Sequence, residues 1–381
     1  MGEKTLLNKF LSSVKRGSLE ITYWDGETKM FGTTSPKVQI TIHDPSAIWD
    51  VVNKSTLGFG EAYMDGRIDV SSPLEMVSLF LDDIPSHPHY PPGWNVPKEQ
   101  QVQFHYDKGN DFFSLWLDST LSYSCAYFQK ETDSIEKAQS QKTAYILKKL
   151  HLQESHSLLD IGCGWGHLLI AAAKHYGVTG LGITLSEKQY EYAKEIAKRE
   201  GIEHRVKFQL MSFEDLKKNN DQFDRIVSIG MFEHVGRPNY SEYFHTLKSV
   251  LKKGGLGLLH TITQQKEQGS DPWLDTYIFP GGMIPSVREI VQLLPDFHFY
   301  LLDYENLRAH YALTLRRWQE KFDENKDRIE KKYGESFYRM WRLYLSTSLG
   351  GFQYGHLSLS QFTFSKEIDY SYPLTRDSLY A

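Results

Sequence analysis

Residues Leu158 to His167 read L-L-D-I-G-C-G-W-G-H, and this stretch decides the fold. An apolar run (Leu158, Leu159, Ile161) ends in Gly162, Gly164 and Gly166, and the Ala-rich stretch Leu168 to Ala173 follows. The pattern predicts a buried strand, a tight glycine turn and the first turns of a helix. Glycine suits such a turn because it accepts positive φ and lets the backbone approach a ligand with no Cβ in the way. The helix N-terminus beyond it offers unpaired N–H groups to an anion. The spacing is G-x-G-x-G, not the G-x-G-x-x-G with an acidic ribose partner that marks dinucleotide sites. With Asp160 before the turn and the composition of the next strand, this favours S-adenosylmethionine. A nucleotide site, or a turn that only packs helix on strand, stays open at this point.

Working outward, strand and helix signals alternate. Strands are expected at Ser157–Ile161, Val178–Thr184, Val206–Leu210, Arg225–Gly230 and Leu256–Thr263, with helices at His167–His175, Glu187–Glu200 and Tyr240–Val250. That alternation predicts an α/β fold with a doubly wound parallel sheet. Ligands of such sheets sit beyond the carboxyl ends of the strands, so Gly162, Thr184, Gly230 and His260 are expected at one crevice. Upstream, Ile135–Leu150 reads as a helix that leaves Lys and Gln outward. Downstream, Asp271–Pro285 reads as an aromatic loop and Glu305–Trp318 as a helix carrying His310 and Tyr311. A charged helix (Glu320–Lys332), an aromatic one (Tyr338–Leu345) and a terminal strand (Leu357–Lys366) follow.

The N-terminal part has a different texture. Leu6, Leu7, Phe10, Leu11 and Val14 share a helical face beside Lys4, Lys9, Lys15 and Arg16. A basic amphipathic helix suits an anionic membrane surface, and it equally suits packing on its own domain. Strand-like runs Leu19–Trp24 and Val38–Ile42 follow, with Asp25-Gly26 as a hairpin signal. Gly58–Val70 reads as a turn-rich surface element and Pro73–Leu81 as a short helix. Five prolines between Pro85 and Pro97 predict a stiff linker. The expected division is a small α+β domain (1–84), a linker (85–100) and a catalytic domain (101–381).

Composition excludes several classes. The chain has 381 residues and a formal net charge of −5, which gives no general reason for nucleic-acid binding. Its two cysteines, Cys125 and Cys163, form neither a disulfide scaffold nor a zinc-spaced cluster, so no metal is expected. The start lacks a continuous apolar core, and no stretch approaches the roughly 20 apolar residues that span a bilayer. A cytoplasmic protein with peripheral membrane contact at most is the expectation.

With L-S-Y-S-C-A-Y-F from Leu121, the glycine turn, G-I-T-L-S-E-K-Q from Gly182, S-I-G-M-F-E-H-V-G from Ser228, Y-I-F-P-G-G from Tyr277 and H-Y-A-L-T-L-R-R-W from His310 in one order, the chain resembles cyclopropane-fatty-acyl-phospholipid synthases. The motifs cover Phe104 to the C-terminus. The N-terminal appendage is similar to that of the bacterial phospholipid branch, and the mycolic acid synthases resemble the catalytic part alone. The resemblance implies a class I, Rossmann-like methyltransferase with a seven-stranded sheet, using S-adenosylmethionine on unsaturated acyl chains of membrane phospholipids. It places Gly162 and Gly164 at the cofactor's methionine part, under Tyr123 and Ser124. It places Thr184 and Gln189 at the ribose end, and Phe213 and Glu214 at adenine. Asp160 and Ile229 complete the expected cofactor set. The strand ending at Thr184 lacks the acidic ribose ligand of most methyltransferases, as in this family.

The resemblance further implies that Cys125, Glu233, His260, Ile262 and Tyr311 gather around bicarbonate. It also implies a homodimer, peripherally bound to the inner leaflet of the cell membrane. A cis alkene needs no deprotonation before it takes a sulfonium methyl, so positioning and water exclusion carry that step. Tyr123, Tyr127, Phe232, Tyr277, Phe279 and Tyr311 are candidate aromatic faces for the resulting cation. A weak base must then remove a proton from the transferred methyl so that the ring closes, and an anion also offsets the cation. The alternatives within the fold are a lipid C-methyltransferase or a small-molecule N-methyltransferase. Outside it stands a non-catalytic lipid-binding protein. As an expectation, Leu7, Phe10, Leu11 and the nearby lysines face the bilayer.

Overall fold

The computed structural model describes residues 2–12, 17–79, 108–368 and 372–380. The expected linker 85–100 and the positions Val14, Lys15, Arg16, Phe104 and His105 lie outside the described residues. The chain divides into two compact units. One comprises Met1–Trp94, Gln268–Pro280 and Leu315–His356, the other Asn95–Glu267, Gly281–Thr314 and Leu357–Ala381.

In the first unit, β1 (Ser18–Thr22), β2 (Thr28–Gly32), β3 (Lys37–Ile42) and β4 (Ile68–Val70) form a sheet in the order β2-β1-β3-β4. The Asp25-Gly26 turn closes β1 on β2 as the expected antiparallel hairpin, with Thr22 opposite Thr28. Strand β3 alternates, burying Val38, Ile40 and Ile42.

Three expectations change in this unit. Gly58–Val70 is not turn-rich: Thr56–Met64 is a helix that leads into β4, and Ser46–Lys54 is a further helix before it. Its glycines allow close contact, since a Cβ on Gly58 would lie 2.0 Å from the Asp50 carbonyl oxygen and one on Gly60 2.1 Å from the Trp273 ring. Second, 268–280 and 315–356, assigned from sequence to the catalytic domain, cluster with the N-terminal segment. The reason is the helix Glu335–Gln353, which buries Tyr338, Trp341, Leu345, Leu349 and Phe352 and is covered by the helices Thr56–Met64 and Pro73–Leu79. From it Arg339 donates to the Asp69 carboxylate and the Ile68 carbonyl, both at 2.7 Å, and lies 4.4 Å over the Tyr63 ring. Third, Leu7 and Leu11 of the helix Glu3–Leu11 are buried, and Lys4 is paired with Asp25 and Glu27. Leu7 and Leu11 of that helix are turned inward, as the packing alternative expected.

The second unit holds a seven-stranded sheet of β5 (Ser157–Ile161), β6 (Thr179–Thr184), β7 (Val206–Leu210), β8 (Phe223–Ile229), β9 (Leu251–Gln264), β10 (Phe299–Asn306) and β11 (Leu357–Lys366), in the order β10-β11-β9-β8-β5-β6-β7. Strands β5 to β9 pair in parallel, while β11 runs antiparallel between β9 and β10. Strand order reverses at β5, whose neighbours β6 and β8 lie on opposite sides, and this switch point opens a crevice at the carboxyl ends. The helices His167–Tyr176, Glu187–Arg199 and Tyr240–Val250 stand where the periodicity puts them. Strand β10 was not foreseen: the chain is extended to Asn306, and the helix runs from Arg308 to Glu324. The expected loop at 271–285 contains a helix, Pro272–Tyr277, because the Asp271 side chain caps it at the Trp273 and Leu274 amides.

Candidate active site

The glycine turn is pinned from below, the Gly162 and Cys163 amides donating to the Ile183 carbonyl at 3.0 and 2.9 Å. Its three glycines differ in purpose. All have positive φ, but a Cβ on Gly162 would meet Met231 at 2.8 Å and one on Gly166 would meet Phe208 at 2.7 Å. A Cβ on Gly164 would meet nothing within 4 Å, so there the open backbone faces space that a ligand can enter.

That space is a cleft of about 970 Å³ including its open mouth. Nine of the ten expected cofactor residues line it: Tyr123, Ser124, Asp160, Gly162, Gly164, Thr184, Gln189, Phe213 and Ile229. Glu214, half-buried one residue beyond Phe213, is not part of the wall. Thr184 donates to the Gln189 amide oxygen at 2.8 Å, and Ser186 caps the helix that carries Gln189. Gly230 also lines the cleft, whereas His260 stands behind the wall and its carbonyl accepts from the Gly230 amide at 2.9 Å.

The segment Leu121–Phe128 is fastened from two sides. From the helix Ile135–Lys149, Gln139 donates to the Ser122 and Ser124 carbonyls at 3.1 and 2.9 Å, and Lys142 donates to Ser124 Oγ at 3.2 Å. From the helix Arg308–Glu324, Thr314 Oγ1 and His310 Nδ1 accept from the Ala126 and Phe128 amides, both at 3.0 Å. Tyr127 stacks between Tyr145 and His310, at 4.3 and 4.6 Å. The expected outward Lys and Gln of the first helix are instead partly inward: Gln139, Lys142 and Lys149 are all buried. Their spacing (139, 142, 149) matches that of Ile135, Ala138, Tyr145 and Ile146, so they share the inward stripe. Lys142, a cleft-lining cation the sequence reading missed, has its pKa lowered by burial, opposed by Asp118, Cys125 and Asp160. Burial raises the Asp160 carboxyl to about 7, with Lys142 pulling the other way. His167, also in the wall, is pushed down to about 4 by burial.

Behind the cleft lies a second group. Met231 and His234 line the cleft and Glu233 falls between them in chain order. Glu233 Oε1 accepts from the Ile262 amide at 2.7 Å, and its Oε2 is buried with no hydrogen-bond partner. Burial lifts this carboxyl to about 7, against the lowering effect of that amide. His260 and Ile262, two apart on β9, share one face of the sheet. His260 is held neutral by burial, its pKa pushed down to about 3, and its Nε2 is buried without a partner. A buried polar atom left unpaired costs about 1–3 kcal/mol. Cys125 is fully buried, and burial pushes its thiol so far up that it is no thiolate. Tyr311 is half-buried on the helix that carries His310 and Thr314. Of the five expected catalytic residues, Glu233 is bonded to Ile262, His260 lies two residues before Ile262 on β9, and Cys125 meets the Thr314 hydroxyl on the helix that carries Tyr311. Among the other aromatics, Phe232 stacks on Tyr240, and Tyr277 and Phe279 belong to the first unit.

Among the described residues no group of three His, Cys, Asp or Glu side chains is placed to hold a metal, and no helix is long and apolar enough to cross a membrane. The cleft suits S-adenosylmethionine: an open glycine backbone at Gly164, a buried ammonium at Lys142, a buried carboxyl at Asp160 and the apolar side chains Phe213, Ile229 and Met211.

Residues 95–362 match the family described as mycolic acid cyclopropane synthetase, and residues 6–79 match a domain of unknown function. The cyclopropane-fatty-acyl-phospholipid synthase of Escherichia coli (strain K12) is 38% identical over 356 residues, covering 88% of this chain and 90% of that one. The structure of the cyclopropane synthase MmaA2 from Mycobacterium tuberculosis matches with a TM-score of 0.67 at 34% identity, covering 71% of this chain and 99% of that one. The mycolic acid cyclopropane synthase CmaA1, in complex with SAH and CTAB, matches with a TM-score of 0.66 at 33% identity and the same coverage. The sheet and its helices are those of the S-adenosylmethionine-dependent methyltransferases.

Proposed function

The chain belongs to the mycolic acid cyclopropane synthetase family, and from that premise we propose that it converts cis double bonds of phospholipid acyl chains to cyclopropane rings at a membrane surface. Bound S-adenosylmethionine supplies an electrophilic sulfonium methyl. The chain's own residues hold and orient it. Gly162, Gly164, Asp160 and Lys142 hold the methionine part, with Tyr123 and Ser124 above it, while Thr184, Gln189, Ile229, Phe213 and Glu214 hold the nucleoside. The Lys142 ammonium offsets a carboxylate in a site from which water is excluded.

The observation that carries the reading is a pair of buried atoms without a hydrogen-bond partner, Glu233 Oε2 and His260 Nε2, on residues linked through β9, where Glu233 accepts from the amide of Ile262, two residues from His260. One buried acceptor and one buried imidazole nitrogen complement a small anion that has both an oxygen and an O–H. Bicarbonate fits that description, with Tyr311 as a further donor and Cys125 and Ile262 as walls. Held there, it would supply a base weak enough to survive beside the cofactor and strong enough for a proton of the transferred methyl, whose carbon is bonded to the neighbour of the cationic carbon. Glu233, poised near neutrality, accepts or returns the anion's proton. The N-terminal unit serves lipid access, as a peripheral contact, and the assembly is a homodimer, which sedimentation of the purified chain tests.

The experiment is incubation with S-adenosylmethionine and vesicles of cis-unsaturated phospholipid. A gain of one CH₂ per acyl chain with cyclopropane ring protons supports the proposal. The same gain as a methyl branch moves the chain to the lipid C-methyltransferases, and no lipid product with methylation of an amine moves it to the N-methyltransferases.

A further inference from the structure

Behind His260 the sheet carries a polar row in an otherwise apolar interior. His260 on β9, Gln361 on β11 and Glu305 on β10 are direct cross-strand neighbours. Lys149, the last residue of the helix Ile135–Lys149, reaches onto this row and is 1% exposed. Its ammonium donates to Glu305 Oε2 at 2.6 Å and to Gln361 Oε1 at 2.9 Å, and Asp303 lies 3.6 Å away. Glu305 also accepts from the Tyr145 hydroxyl at 2.9 Å. On its other side Gln361 Nε2 is 3.0 Å from His260 Nδ1.

The chemistry of lysine settles each orientation in turn. An ammonium has donors and no acceptor, so the amide of Gln361 must turn its oxygen to Lys149. Its NH₂ then faces His260, and a ring nitrogen faced by a donor must accept, so it cannot itself carry the proton. Nδ1 is therefore the lone-pair nitrogen, and in a neutral imidazole the proton sits on Nε2. Nε2 is the atom left buried without a partner.

We propose that Gln361 is a positioning residue which, held by the Glu305–Lys149 ion pair, fixes His260 as the Nε2–H tautomer, so that it donates a hydrogen bond to the ligand that Glu233 also meets. The inference rests on His260 belonging to the active site. It extends that reading from the ligand's contacts to the residues that decide which way the proton points. Without Lys149 the amide is free to flip, and the imidazole loses its fixed tautomer.

Nitrogen NMR of the full chain with ¹⁵N-labelled histidine tests it, with His260→Asn to assign the signals. The expected wild-type spectrum shows His260 Nε2 protonated and Nδ1 as an acceptor; the reverse pattern overturns the proposal. Gln361→Glu keeps a partner for Lys149 but turns an acceptor toward the imidazole, so it should move the proton to Nδ1. Cyclopropane formation should then fall roughly 10- to 100-fold in kcat. Calorimetric affinity for S-adenosylhomocysteine should stay unchanged. Lys149→Arg, which keeps a donor-only cation, should retain the wild-type tautomer. An unaltered tautomer in Gln361→Glu overturns the relay. The spectrum does not depend on turnover: an inactive wild-type chain with the expected tautomer sinks the proposed reaction alone, and an active one with the reverse tautomer sinks the relay alone.

Discussion

Replacing Glu233 by glutamine should stabilise the cofactor-free protein more as pH rises. Oε1 of the new side chain still accepts from the Ile262 amide, now 2.7 Å away, and an NH₂ replaces the buried, unpaired Oε2. That exchange has a cost of about 1–3 kcal/mol which does not vary with pH. The wild-type carboxyl does vary, because burial lifts it from its ordinary 4.5 to about 7. A raised carboxyl binds its proton more tightly folded than unfolded, so it does no harm below the unfolded value and costs stability as pH climbs toward the folded one. Linkage makes that cost about 1 kcal/mol near pH ~5.5 and about 3 kcal/mol near pH ~8. Guanidinium unfolding of both proteins at the two pH values should therefore show the variant gaining about 2 kcal/mol on the wild type between them. Asp160, also raised, is common to both proteins and cancels. A difference that is flat with pH would refute the claim that burial raises the Glu233 carboxyl. Catalysis should fall in the same variant, the mark of a residue kept for function against stability.

Three further outcomes follow from individual contacts. Gly162→Ala forces φ 79 on a residue with a Cβ and a clash with Met231, and should cost at least 1–2 kcal/mol in thermal stability, whereas Gly164→Ala, at φ 53 with open space around its Cβ, should cost less yet lose S-adenosylhomocysteine binding by calorimetry. Lys142→Met removes the ammonium bonded to Ser124 Oγ and should weaken S-adenosylhomocysteine about 10-fold or more, while 5′-methylthioadenosine, which has no carboxylate, should bind as before. Arg339→Met breaks the bonds to Asp69 and the Ile68 carbonyl, and should lower the unfolding free energy by about 2–3 kcal/mol without changing cofactor affinity.

The glycine turn made the sheet legible, because a strand buried on both faces and an Ala-rich helix leave few other readings for Leu158–Ala173. Strands Ser157–Ile161, Val206–Leu210 and Leu357–Lys366 stand within the bounds their apolar runs suggest. What was missed was missed for tertiary reasons. Gly58 and Gly60 read as turn formers, yet they sit in a helix whose contacts with Asp50 and Trp273 leave no room for a Cβ. The buried Gln139, Lys142 and Lys149 read as solvent-facing because a long polar side chain on an apolar stripe has no local signature; its partners, Ser124, Glu305 and Gln361, lie far along the chain. The cleft residues came from motif resemblance, and the hydrogen bonds that orient Glu233 and His260 came from the fold alone.

The central claim is that a proton leaves the transferred methyl and the ring closes. Trideuteriomethyl S-adenosylmethionine, given to the purified protein with cis-unsaturated phospholipid vesicles, tests this directly. The account predicts acyl chains that keep two of the three deuteriums, both on a cyclopropane carbon. Chains that keep all three, as a methyl branch, would contradict it.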